Sequence, residues 1–386
     1  MTALSVRETR RRASRPYLWA AGIYLGVRVF GVLVLAVFAA RNGQPLLDRL
    51  TAWDGQWYLA IADHGYTGIT GGLLDADGNF APSTPRAFFP AYPVLLHALA
   101  TVAGFGSAFT GLLISVVAGV VAACGVFRCA RLAGGDERIG LLLVALWAGG
   151  PMAITLSMVY TEALFTAFAA WALAGVMERR WLLTALCCVG AGLTRPTAVV
   201  LVTVVVIAAL VAFGRSPGRG PAACALLAPV GLVGYWVWVA DRTGSVTGWF
   251  DLERAGWHTR FDGGAETARF VWEQLTSGSS VMETLNVFIV LLAMASAVLL
   301  ARWLKARPVW WPIALFGIGM VVLAVGTAGI PFTKARFLVP GFPLLLPVAF
   351  GLAHRRRATA LTTAAALVAV GTWFGAYALT GWQYAI

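Results

Sequence analysis

The chain has 386 residues, of which 59% are hydrophobic and only 12% charged, with a mean hydropathy of +0.78. A soluble domain carries about a quarter charged residues, so this composition excludes a water-soluble globular fold and leaves an all-α polytopic membrane protein. The formal charge of +12 does not point to nucleic acid: the basic residues are nearly all Arg and sit in short clusters between apolar runs, the pattern of cytoplasmic loops between membrane spans.

The N-terminal cluster Arg7/Arg10/Arg11/Arg12/Arg15 precedes an apolar run that begins near Tyr17. That run is too long for the core of a signal peptide, so it is read as an uncleaved first span. The other clusters are Arg128/Arg131/Arg138, Arg179/Arg180, Arg215/Arg219, Arg302/Lys305/Arg307 and Arg355/Arg356/Arg357. Apolar stretches of about 20 residues can cross a bilayer as helices. About eleven spans fit between the clusters with the N-terminus cytoplasmic: 18–40, 107–127, 138–157, 161–177, 181–194, 197–213, 220–240, 285–304, 308–327, 337–352 and 358–379. The stretch 88–104 is apolar, but Phe89-Pro90-Ala91-Tyr92-Pro93 interrupts its start. It is expected to be partly inserted or re-entrant.

The whole chain, 1–386, reads as one transmembrane domain with two long extracytoplasmic segments, 41–87 and 241–284. The second is expected to hold a surface helix near Glu266–Leu275. Arg28, inside the first span, is expected to pair with a carboxylate or with helix-end carbonyls. The cysteines Cys124, Cys129, Cys187, Cys188 and Cys224 lie in or beside apolar runs without zinc-type spacing and read as reduced packing residues.

The chemistry concentrates after the first span, in Trp53-Asp54-Gly55-Gln56-Trp57-Tyr58. On a helix starting near Trp53, Asp54 and Tyr58 share a face, as do Trp53, Trp57 and Ile61. The tryptophan face suits the headgroup zone and would turn Asp54 into the protein. A carboxylate there can take a proton from a hydroxyl, although an acid at a helix N-terminus also serves as a plain dipole partner. Asp63 falls roughly opposite Asp54, so spacing supplies no second carboxylate. Lys334 and Arg336, at the external end of a predicted span, are candidates to hold a phosphate; headgroup contact is the alternative. Arg195 and Glu162 lie at other external helix ends, and either bind substrate or pair with one another. Arg86, Trp53, Tyr58, Trp257 and His258 are further substrate-binding candidates, with Trp257 offering a flat apolar platform to a sugar. His64 is read as a loop-orienting residue. Asp75-Ala76-Asp77-Gly78-Asn79 alternates oxygen ligands, but Phe80 and Arg86 stand where a calcium loop needs Gly and Glu, so a polar turn without metal is expected.

Several blocks together resemble the PIG-V family of membrane mannosyltransferases. They are Trp53-Asp54-Gly55-x-x-Tyr58-x-x-Ile61-Ala62-x-x-Gly65-Tyr66, Phe88-Phe89-Pro90-x-Tyr92-Pro93, Tyr160-Thr161-Glu162-Ala163-Leu164-Phe165, Arg195-Pro196 and Arg336-Phe337-Leu338-x-Pro340-x-Phe342-Pro343. The resemblance implies a GT-C glycosyltransferase fold, a polyprenyl-phosphate-linked donor, mannose as the sugar, and a catalytic Asp in the first external loop, which falls on Asp54. It implies a glycan, lipid or protein acceptor, membrane lipids as surroundings, and no cofactor. The Arg/Ala/Gly bias is that of a bacterial member in the cytoplasmic membrane, with its site extracytoplasmic. The competing reading is a transporter or flippase for a lipid-linked sugar, which would favour internal repeat symmetry; no repeat is evident.

Overall fold

A computed structural model describes residues 3–277, 280–306 and 310–382, with side chains from Ser14 onward. The side chains of Arg7, Arg10, Arg11 and Arg12, and the whole of Arg307, lie outside the described residues. The first apolar run forms α1 (Ala3–Arg41), a helix of 39 residues. At about 1.5 Å per residue it exceeds the hydrocarbon core of about 30 Å, so its basic N-terminal turns extend past the apolar part. Next come α2 (Leu46–Leu50), α3 (Asp54–His64), α4 (Ala91–Ala103), α5 (Ser107–Leu132), α6 (Glu137–Ala148) and α7 (Glu162–Met177). They are followed by α8 (Trp181–Gly192), α9 (Ala198–Arg215), α10 (Arg219–Leu227), α11 (Val230–Thr243) and α12 (Gly248–Trp257). A two-residue strand β1 (Arg260–Phe261) precedes α13 (Ala265–Thr276), α14 (Val281–Ala306) and α15 (Trp311–Gly326). The chain ends with β2 (Thr327–Ala328), α16 (Lys334–Phe337), α17 (Leu346–Ala353) and α18 (Arg357–Thr380).

Among the described residues six helices are long and apolar enough to cross a membrane, or seven if the bent pair around α16 and α17 is one span. The chain is an all-α integral membrane protein, but helix length does not give eleven full spans. The expected spans at 161–177, 181–194 and 308–327 are the shorter helices α7, α8 and α15. The expected span at 138–157 is α6, only 12 residues long, followed by a 3-10 turn over Ala153–Ser157. The expected span at 337–352 is broken: the segments Pro331–Phe337 and Phe342–Ala353 meet at 79°, because Pro340 between them and Pro343 at the start of the second offer no backbone N–H to a helix. The expected span at 220–240 is one of the six, Arg219–Thr243, with a joint at Ala228–Pro229 between α10 and α11. The stretch 88–104 yields α4, whose 13 residues reach about 20 Å, short of a full crossing.

Small residues let the helices close on one another. A Cβ at Gly119 of α5 would lie 1.8 Å from the Tyr24 hydroxyl of α1, so only glycine admits that ring. The Tyr24 hydroxyl in turn donates to the Leu156 carbonyl at 3.3 Å. Arg28 donates to the Ala153 carbonyl, at the start of the 3-10 turn after α6, so its partner is a loop carbonyl and neither a carboxylate nor the end of a long helix. The α7 helix is apolar all round and buried between α5 and α8. Cys129 of α5 donates to its Ala170 carbonyl. All five cysteines are free. Leucines and valines on the outward faces of α1, α5, α9 and α14 are exposed, as a lipid-facing surface requires.

Irregular chain gathers at one end of the bundle, where α1 finishes and α7 begins. There α3 and α4 pack on the Phe88 loop in one aromatic cluster, and α11 and α12 pack on Phe89 in another. β1 pairs antiparallel with β2, Arg260 opposite Ala328 and Phe261 opposite Thr327. This ties the chain after α12 to the end of α15. α13 is the expected surface helix, its first turn capped by Asp262, which accepts from the N–H groups of Gly264 and Glu266 at 2.8 Å each.

Candidate active site

Asp54 is the first residue of α3, where a negative charge is favoured by the helix dipole. Its backbone N–H donates to the Tyr160 hydroxyl at 3.2 Å. Gly55 is needed next to it: a Cβ there would sit 3.2 Å from the Val159 carbonyl, so glycine lets α3 lie against the segment before α7. Trp53 has φ 58° and ψ −123°, a conformation costing on the order of 1–3 kcal/mol for a side-chain-bearing residue. The strain turns the chain sharply into α3.

The Asp54 carboxylate accepts from Arg336 Nη1 at 2.5 Å. Arg336 is itself buried, with its guanidinium 5.4 Å from the Tyr160 ring centre and its Nε 3.9 Å from Glu162 Oε1. Glu162 opens α7, is fully buried, and pairs with Arg195. Arg195 also donates to the Thr161 hydroxyl at 3.0 Å. Four elements distant in sequence thus meet in one chain of charges, Asp54–Arg336–Glu162–Arg195. The broken helix places Arg336 and, one half-turn earlier, Lys334. The Lys334 ammonium donates to the carbonyls of Ala324 at 3.1 Å and Thr327 at 2.7 Å, which leaves one of its three N–H groups for a ligand.

These groups line a cavity of about 460 Å³, within the range of about 300–1,000 Å³ common for small-molecule sites. Asp54, Tyr58, Arg195, Lys334, Arg336 and Trp257 all reach its wall. Val199, Met320, Leu323 and Phe250 make another part of the wall apolar. Glu162 lies behind the wall and holds the two arginines, so it positions them and does not itself face the cavity.

Other candidates lie elsewhere. Arg86 and Trp53 are outside the cavity wall; Arg86 contributes its carbonyl, which accepts from Tyr235 at 2.9 Å. His258 is exposed and pairs with Asp77 at 2.9 Å, away from the wall that its neighbour Trp257 lines. Asp75 Oδ1 accepts from the N–H groups of Asp77 at 3.0 Å and Asn79 at 2.8 Å, which makes this segment a closed turn. Among the described residues no group of three or more His, Cys, Asp or Glu is arranged to hold a metal ion. Asp63 accepts from Ser107, apart from Asp54. Trp57 corrects the expected headgroup face: it is only 5% exposed and stacks on Phe88 with ring centres 5.4 Å apart. Aromatic packing of α3 on the Phe88 loop outweighs the interfacial preference of indole.

Glu253, Thr259 and Arg260 are polar lining residues that were not singled out from sequence. Glu253, on α12, is the second carboxylate of the cavity. Burial pushes its pKa up to about 7, with the Asp54 charge adding to the rise, against a Thr259 hydrogen bond and the charges of Arg336 and Arg195. The available signal was its position between Trp249 and Trp257, one turn from each on an amphipathic helix. Arg260 pairs loosely with Glu266 at 3.5 Å.

Neither a protein-family model nor a curated protein sequence matches the chain. Its fold is shared by two solved structures of the oligosaccharyltransferase AglB from Archaeoglobus fulgidus. One, in complex with an inhibitory peptide and a dolichol-phosphate, aligns with a TM-score of 0.51 at 14% identity over 93% of this chain and 56% of that one. The other, tethered to an acceptor peptide containing the NVT sequon, aligns with a TM-score of 0.50 at 14% identity over 93% of this chain and 55% of that one. This chain therefore spans a little over half the length of those solved chains. The likeness is one of fold.

Proposed function

We propose that the chain is a membrane glycosyltransferase of the PIG-V type. It moves a mannosyl or related hexosyl unit from a polyprenyl-phosphate-linked donor to a hydroxyl of a glycan, lipid or protein acceptor. The observation that carries this reading is the Asp54 carboxylate sharing one cavity wall with the buried cations Arg336, Lys334 and Arg195. A base beside a cluster of fixed positive charge suits a reaction in which a hydroxyl loses a proton and a phosphate gains charge. The fold likeness to AglB, seen with a dolichol-phosphate, supports a lipid phosphate as the donor. The apolar wall gives its chain a place to lie.

In this mechanism the acceptor oxygen attacks the anomeric carbon from the side opposite the phosphate, and Asp54 takes its proton. The bond from C1 to the phosphate oxygen breaks with inversion, and the phosphodiester monoanion becomes a phosphomonoester dianion. Before the step Arg336 donates to the Asp54 carboxylate. As the proton arrives on Asp54, the guanidinium is released from its partner and turns its charge to the phosphate, joined by Lys334 and Arg195. No metal or cofactor enters the reaction. The site faces the extracytoplasmic side of a bacterial cytoplasmic membrane, with the N-terminus inside.

Purified protein incubated with polyprenyl-phosphate-mannose and an acceptor panel, with products identified by mass spectrometry, tests the reading. New mannoside is expected from the wild type and not from Asp54→Asn. Movement of labelled lipid across a vesicle without a new glycosidic bond would replace this reading with a flippase.

A further inference from the structure

The second carboxylate of the cavity has no place in the transfer step. On α12, Trp249, Glu253 and Trp257 fall at successive four-residue intervals, one stripe of the helix, and all three face the cavity. The stripe is held firmly. Trp249 Nε1 donates to the Ala87 carbonyl at 3.1 Å, and the Trp257 ring meets Phe88 edge-on with centres 5.5 Å apart. The Thr259 N–H donates to the Glu253 carbonyl at 3.2 Å, which ties the chain leaving α12 back onto the helix. Asp54 and Glu162 each pair with an arginine; Glu253 makes no ion pair among the described residues.

A fixed acid with spare acceptor capacity, beside an indole face and without a cation, is complementary to hydroxyl groups on a ring with an apolar face. Its negative charge repels phosphate, which Arg336, Lys334 and Arg195 of the same cavity attract. We infer that Glu253 is a sugar-positioning residue: its carboxyl group hydrogen-bonds a hydroxyl of a pyranose ring laid against Trp257. The ligand class rests on the glycosyltransferase reading; the ring belongs either to the donor or to the acceptor. Holding that ring fixes the reacting centre between Asp54 and the cations.

The charged groups around Glu253 define its pH response. Asp54 of α3, Arg195 after α8, Arg336 and Lys334 of α16, and Arg260 of β1 share its cavity. Arg86, on the turn packed against α12, and Asp241 and Arg242 of α11 lie outside the cavity wall. Asp251 and Arg254 of α12 are exposed. An ionised carboxylate binds hydroxyls more strongly than a neutral one, so sugar affinity rises as pH passes through about 7.

Wild type, Glu253→Ala and Glu253→Gln in nanodiscs, titrated by tryptophan fluorescence, test this with three probes: polyprenyl phosphate, polyprenyl-phosphate-mannose and methyl mannoside. Glu253→Ala is expected to leave polyprenyl phosphate within about twofold of wild type. It should weaken a sugar-bearing probe roughly tenfold, the cost of one hydrogen bond to a charged group. Weakening confined to the mannosyl lipid assigns the donor ring, and weakening of methyl mannoside assigns the acceptor ring. Glu253→Gln should recover part of the affinity at all pH values but lose the transition near neutrality. Equal loss for all three probes, or no loss for any, overturns the inference. Failure of the wild type to bind either lipid phosphate would sink the glycosyltransferase reading instead, while methyl mannoside still reports on Glu253.

Discussion

The Arg336 guanidinium meets the Asp54 carboxylate at 2.5 Å, joining the start of a helix near the N-terminus to a break between helices near the C-terminus. Arg336 also lies between two carboxylates, with Glu162 at 3.9 Å. Arg336→Lys keeps a charge but loses the planar fork that spans them. The transfer rate is expected to fall about 10²–10³-fold, the loss found for a single fixed donor at a developing negative charge. Activity within about twofold of wild type, measured as steady-state mannoside formation, would remove Arg336 from the reaction.

The Glu162–Arg195 pair should behave as a buried ion pair in stability. Arg195→Leu leaves Glu162 short of its partner and is expected to cost about 3–5 kcal/mol. Combining it with Glu162→Gln should restore part of that loss, read by denaturant unfolding in micelles. Strictly additive losses would mean that the two side chains are not coupled.

Gly119 tests the packing of α1 on α5. Gly119→Ala puts a methyl where the Tyr24 ring lies and should cost about 1–3 kcal/mol through overpacking. Tyr24→Ala in the same protein removes the clash, so the double variant should be more stable than the two single losses add up to. A sum without that surplus would contradict the close approach.

Glu253 makes stability depend on pH. Its pKa is raised from 4.5 to about 7 in the folded protein, so between those values the folded state holds a proton that the unfolded chain has released. Stability from this group is present in full below the lower value and is lost as pH rises through the upper one. Glu253→Gln should flatten a thermal-stability profile between about pH 4.5 and 7. An unchanged slope would assign the titration to another group.

Much of this molecule could be read from its sequence, for identifiable reasons. Apolar runs announce membrane helices because the bilayer demands internal hydrogen bonding, and the i, i+4 spacing of Asp54 and Tyr58 put both on the cavity face. Arg28 found a backbone carbonyl, though one in a turn, and Arg195 found Glu162. What stayed hidden depends on tertiary structure. Trp57 looked interfacial because nothing local announced that Phe88 would stack on it. The tryptophan stripe around Glu253 was visible, but its arrival opposite Asp54 is set by how α12 folds back on the Phe88 loop. Helix length alone does not reproduce the expected number of spans, because α7, α8 and α15 are apolar helices of only 10–17 residues. The turn at Pro340–Pro343 broke a run that composition alone reads as continuous.

Two pairs of residues, Arg260 with Ala328 and Phe261 with Thr327, fasten the chain after α12 to the end of α15 beside the cavity. A ladder this short, with both β1 side chains exposed, belongs to the low end of local opening free energies, far below that of the buried α5–α7 pair. Its amides should exchange with deuterium early, while those at the centre of α7 exchange late. All four residues of this ladder also line the cavity, so local peeling there would loosen that wall while the helical bundle stays folded.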